Sequence, residues 1–134
     1  MVTNIVDGSG MVLAVLCHAD GGHGERKNLA TAGETLQAAC KQLPSGWKSS
    51  LHRHLPQVRQ TEGTQEAWVV IRGRVRFQVC DDNDVIIEEG YLGPGDCLVS
   101  FRGGHGLTVV EKGTTMYEFK NGPYTGQEED KQWI

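Results

Sequence analysis

From Gly46 to Lys120 the chain is cut into short apolar–polar segments by clusters of turn residues, and this spacing limits the fold more than any other feature. Segments 47–55, 67–72, 74–80, 84–88, 97–101, 107–111 and 114–120 each suit a strand, and many short strands at close intervals predict an all-β sandwich or barrel. Val75, Phe77 and Val79 alternate with Arg74, Arg76 and Gln78, the pattern of a strand with one face in the core and the other in water. The turns have chemical reasons. Asp81-Asp82-Asn83-Asp84 offers side chains that bond their own backbone, Gly93-Pro94-Gly95-Asp96 suits a tight turn, and Gly73 and Lys112-Gly113 are expected to close hairpins.

Upstream the pattern is looser. Residues 1–10 read as a loosely held start, 11–18 as a strand, and 19–28 as a surface loop carrying His23, with His18 at the strand's end; both imidazoles are expected in solvent. Residues 35–43 suit either a short helix stopped by Pro44 or a strand, because periodicity does not separate the two over so short a run.

A chain of 134 residues is long enough for one compact domain that buries about two thirds of its unfolded surface. We therefore read residues 1–134 as one domain with a core over about 46–120, an N-terminal extension (1–45) and a tail (121–134). Net charge is −4, with basic residues scattered, so nothing favours a nucleic-acid partner. The longest apolar run, 11–17, is far short of the roughly 20 residues of a membrane span, and a soluble cytoplasmic protein is expected. Cys17, Cys40, Cys80 and Cys97 form no C-x-x-C pair and read as buried reduced thiols. The tail ends Gln132-Trp133-Ile134, apolar enough to dock on its own domain or on a partner subunit.

Three fragments carry chemistry: His52-Arg53-His54, Gly63-Thr64-Gln65-Glu66 and Gly103-Gly104-His105-Gly106. On an extended strand His52 and His54 would share a face with alpha carbons roughly 7 Å apart, close enough to lean onto one ion. About fifty residues separate them from His105, so only the tertiary fold could bring the third imidazole to the pair. Imidazoles and a carboxylate suit Fe, Mn, Ni, Cu or Zn without choosing among them.

The spacing Gly46, five residues, His52-Arg53-His54, then Glu66, six residues and Gly73 resembles the first motif of the cupins, small β-barrels of jelly-roll type. The stretch between His54 and Glu66 is longer than is usual there. Gly95-Asp96 followed by Gly103-Gly104-His105 resembles the second motif, one residue short and with Phe101 where proline is common. Together with Gly122-Pro123-Tyr124, these fragments resemble small single-domain bacterial cupins, some associated with surface-polysaccharide synthesis.

The resemblance implies a double-stranded β-helix, a divalent transition metal held by His52, His54, Glu66 and His105, and a homodimer. It implies a mononuclear metalloenzyme, of isomerase or dioxygenase type, acting on a small polar or carbohydrate-like substrate. The alternatives are a non-catalytic module binding a sugar or organic acid, and a dimerisation domain with an empty pocket. Arg59, Arg72 and Tyr117 are candidate substrate contacts. Arg72, Arg74 and Arg76 share parity and otherwise read as a solvated face.

Overall fold

The computed structural model describes residues 1–22 and 24–134, and the expectation for His23 lies outside them. The strands are β1 (Val2–Val6), β2 (Val12–Cys17), β3 (Lys27–Asn28), β4 (Ala39–Cys40), β5 (Glu66–Arg72), β6 (Val75–Cys80), β7 (Ile86–Leu92), β8 (Cys97–Ser100), β9 (Gly104–Val109) and β10 (Thr115–Lys120), followed by one helical turn, α1 (Gln127–Asp130). The all-β expectation holds, and every strand pair is antiparallel. No helix among the described residues is long and apolar enough to cross a membrane.

Two sheets make the body, one ordered β1-β2-β8-β5-β10 and the other β7-β6-β9. Alternation along each strand decides what lies between them. Val75, Phe77 and Val79 of β6 pack with Trp68 and Val70 of β5, Leu98 of β8 and Leu92 of β7 in the main core. The reverse face of the larger sheet is covered too: Val15, Cys17, Ala67 and Val99 pack beneath Leu29 and Ala30, with Leu36, Ala38 and Cys40 against them. That double coverage explains why β2 reads as a continuous apolar run, Val-Leu-Ala-Val-Leu-Cys, rather than an alternating one.

Several expectations are corrected. Gly73 does not close a hairpin: β5 belongs to the larger sheet and β6 to the smaller, so the turn is a corner between sheets. Lys112-Gly113 likewise turns β9 of one sheet into β10 of the other. The two corners are packed together. Gly73 has a φ of +83°, and a Cβ there would lie 2.7 Å from the Thr114 Cα, while Thr114 Oγ1 accepts from Arg74 N. Asp81 to Asp84 does turn a hairpin, β6 to β7, with Asp81 Oδ1 accepting from the Asn83 and Val85 amides.

Residues 1–10 are not loose. β1 pairs with β2 across a turn in which Asp7 Oδ1 accepts from Ser9 N and Met11 N. Residues 35–43 form no helix, because Leu36, Ala38 and Cys40 bury at a two-residue period and β4 pairs with β3. Residues 47–55 form no strand. Pro44 and Pro56 bracket that stretch and cannot donate to a ladder, and Leu51, Leu55 and Val58 stand exposed with no sheet beneath them.

The tail is held chiefly by polar contacts, and of its apolar end Trp133 stays 80 % exposed. Thr64 Oγ1 donates to Asp130 Oδ1, Asn121 Oδ1 accepts from Gln65 N, and Ile134 lies over Gly104, where a Cβ would stand 2.6 Å from its Cδ1. Gly103, just before β9, has a φ of +70°, and an added Cβ would sit 2.2 Å from the Cys80 carbonyl oxygen. Gly103→Ala is therefore expected to cost at least about 1–3 kcal/mol from the left-handed backbone alone, with the clash added. Urea unfolding would measure it, and a variant as stable as the parent would show that this corner can relax.

Candidate functional site

The larger sheet places Glu66 at the start of β5, directly opposite Ser100 on β8 and Lys120 on β10. Period-two alternation sends Glu66, Trp68 and Val70 to the core face, and Glu118 and Lys120 of β10 share that face by register. From the smaller sheet, β9 presents His105, paired with the inward-facing Val79. The corner glycines Gly103 and Gly104 allow β9 to begin tight against Cys80. Residues from both sheets thus meet near one edge of each sheet, at β9 and β10.

Glu66 is only 3 % exposed, yet both carboxylate oxygens are engaged. Trp68 Nε1 donates to Oε1 at 2.5 Å, the Lys120 ammonium lies 3.1 Å from Oε2, and His105 Nε2 stands 3.7 Å from Oε1. Burial alone would raise this carboxyl's pKa, but the His105 ring 3.7 Å away and the Lys120 ammonium outweigh it, leaving the group ionised down to about pH 2. Lys120 shows the reverse balance: burial disfavours the ammonium, while Glu118 at 3.1 Å and Glu66 hold it charged above the usual lysine range.

The ring of His105 stands edge-on to Trp68, with centroids 5.0 Å apart, and its Nδ1 lies 3.0 Å from Ser100 Oγ. With Nε2 facing an anion, the proton belongs on Nε2, and the Ser100 hydroxyl then donates to Nδ1. Both His105 and Lys120 keep access to solvent, at 24 % and 18 % side-chain exposure, whereas Glu66 and Ser100 are enclosed. What a ligand would meet is therefore the imidazole, the ammonium and the half-exposed Glu118.

Of the expected metal ligands, the fold brings Glu66 and His105 together. His52 and His54 neighbour each other, with ring centroids 5.3 Å apart and His52 Nδ1 2.8 Å from Ser50 O, but both stand exposed in the strandless stretch before β5. Among the described residues no three ligand-type side chains converge as a metal requires. The Glu66 oxygens are also already taken by an indole N–H and an ammonium. As arranged here, the four residues do not fit one ion.

The expected substrate contacts also lie apart from this site. Arg59 is exposed in the same strandless stretch. Arg72 ends β5, roughly 20 Å along the strand from Glu66, with Nε donating to Gly113 O. Tyr117 lies on the opposite face of β10, its ring 6.3 Å from that of Phe119. Arg76 bonds to Glu89 and Arg74 stacks on Tyr91, an exposed polar face as read from parity.

Trp68, Ser100, Glu118 and Lys120 were not evident from the sequence as site residues. Trp68 follows Glu66 by two and was within reach of a parity argument. Lys120 was not, since its register opposite Glu66 spans 54 positions. No protein-family model, curated protein or solved structure matches the chain.

Proposed function

We propose that the chain is a cupin-type jelly-roll domain that binds a small, uncharged, hydroxyl-rich molecule of carbohydrate class between β9 and β10. The observation that carries this reading is an enclosed, ionised Glu66 gripped by Lys120 from its own sheet and faced by His105 from the other. The fixed charges of Glu66 and Glu118 against Lys120 sum to −1, which disfavours an organic acid. Imidazole, ammonium and carboxylate supply paired donors and acceptors for vicinal hydroxyls. Glu66 is too weak a base and Lys120 too weak an acid to move a proton near neutral pH, so these two groups serve to orient rather than to exchange protons.

Calorimetric titration with neutral monosaccharides and, separately, with small carboxylates tests the reading. Binding of at least one neutral sugar is expected, weakened about tenfold or more in His105→Ala by loss of a charge-assisted or neutral hydrogen bond of about 1.5 kcal/mol. Preference for carboxylates, or unchanged binding in His105→Ala, would remove it.

A second reading, a metal-dependent form of the same domain, is supported by the adjacency of the His52 and His54 rings and by the separate Glu66/His105 pair. It requires the strandless stretch to move toward β9. Protein prepared without an affinity tag should then hold near-stoichiometric transition metal at pH 8, lose it in His52→Ala, and lose it toward pH 5 as protons compete for the imidazoles. Metal content indifferent to His52→Ala would exclude this ligand set.

A further inference from the structure

Three of the four cysteines meet at one place away from Glu66. Cys17 on β2 and Cys97 on β8 are direct register partners, and Cys40 on β4 packs over them from the N-terminal extension. All three line a groove of about 350 Å³ on the reverse face of the larger sheet, with Leu36, Ala38 and Phe119 around them. Cys80 lies apart from them, on β6 of the other sheet, beside Gly104.

We propose that Cys17 and Cys40 form an oxidation-driven disulfide that latches the N-terminal extension onto the larger sheet. Cys40 is the accessible member, partly exposed on a two-residue strand, whereas Cys17 is 2 % exposed. The Cys17 side chain is hydrogen-bonded to Cys40, and burial together with that bond pushes the Cys17 thiol up to about 11, so Cys40 is the group that reacts first. Cys97 is partly exposed like Cys40, but burial and the two neighbouring sulfurs push its thiol up to about 12, which makes it the poorest nucleophile of the cluster, and it stays reduced.

With a small-molecule disulfide such as oxidised glutathione as oxidant, the Cys40 thiolate attacks one sulfur and expels a glutathione thiolate, which takes up a proton. Cys17 then gives its proton to solvent and attacks Cys40 Sγ, expelling the second glutathione. Two protein thiols are oxidised and one glutathione disulfide is reduced to two thiols. The latch would tie down the segment from which Glu34 accepts a hydrogen bond from Gln65 Nε2 and ion-pairs with Arg102, both next to residues that position the candidate site.

The full chain, treated with oxidised glutathione and measured by intact mass, is expected to lose two hydrogen atoms, and digestion under non-reducing conditions should yield one linked peptide pair containing Cys17 and Cys40. Cys17→Ser should instead retain one glutathione adduct, on Cys40, while Cys80→Ser and Cys97→Ser should close the bridge as the parent does. A stable adduct on the parent, no mass change, or a bridge mapped to Cys97 or Cys80 would overturn the assignment. Peptide mapping of the parent decides the matter even if a variant fails to fold.

Discussion

Glu66→Ala is expected to destabilise the protein by about 3–5 kcal/mol, the loss typical when one member of an enclosed ion pair is removed and the other is left without compensation. Lys120 would keep Glu118 at 3.1 Å but lose the partner that holds it under the sheet edge. Trp68 Nε1 would lose its acceptor as well. Chemical denaturation measures the loss. The double variant Glu66→Leu with Lys120→Met should recover much of it, since an apolar pair of similar volume avoids the burial of charge. A single variant within about 1 kcal/mol of the parent would show that the carboxylate is effectively solvated.

The same residue sets an acid limb. Its pKa falls from 4.5 to about 2 on folding, so the folded state binds fewer protons than the unfolded chain between those values. Its contribution, on the order of 3 kcal/mol, is complete above about pH 4.5 and is lost as pH falls through about 2. In Glu66→Gln the slope of stability between pH 4.5 and 2 should flatten measurably relative to the parent. Parallel pH profiles would contradict an ionised, paired Glu66.

Trp68→Ala is the second large effect. The indole is 5 % exposed, fills the core beside Val70 and Leu98, meets the edge of His105 and donates to Glu66. Removing it should cost about 3–5 kcal/mol from packing alone. Trp68→Phe separates the two roles, because it keeps much of the volume but removes the N–H. An additional loss of about 1–3 kcal/mol is expected for a charged acceptor deprived of one donor, with the acid limb displaced to higher pH. If Trp68→Phe left both stability and the acid limb unchanged, the indole would serve as filler alone.

The strand content after β5 and the polar outer face of β6 were legible in the sequence, because period-two alternation and turn chemistry are local properties. The partnership of strands was not. Gly73 and Lys112-Gly113 look like hairpin turns, but whether a tight turn returns a strand to the same sheet or carries it to the facing one depends on which apolar surface the strand must cover. Residues 35–43 took no helix for a related reason, since the back of the larger sheet selects the two-residue alternation of Leu36, Ala38 and Cys40 over a helical stripe, and only Ala39–Cys40 pairs as a strand.

The sequence by itself determined an antiparallel all-β chain with charged residues and glycines at defined strand positions, and it marked Glu66 and His105 as candidates for chemistry. Only the tertiary structure decided that these two face each other across the sheets, that Lys120 and Trp68 hold the carboxylate, and that His52 and His54 stand elsewhere. The physical reason is range. Alternation and turn preference act over a few residues, whereas register and the meeting of two sheets come from burying apolar faces that lie tens of positions apart.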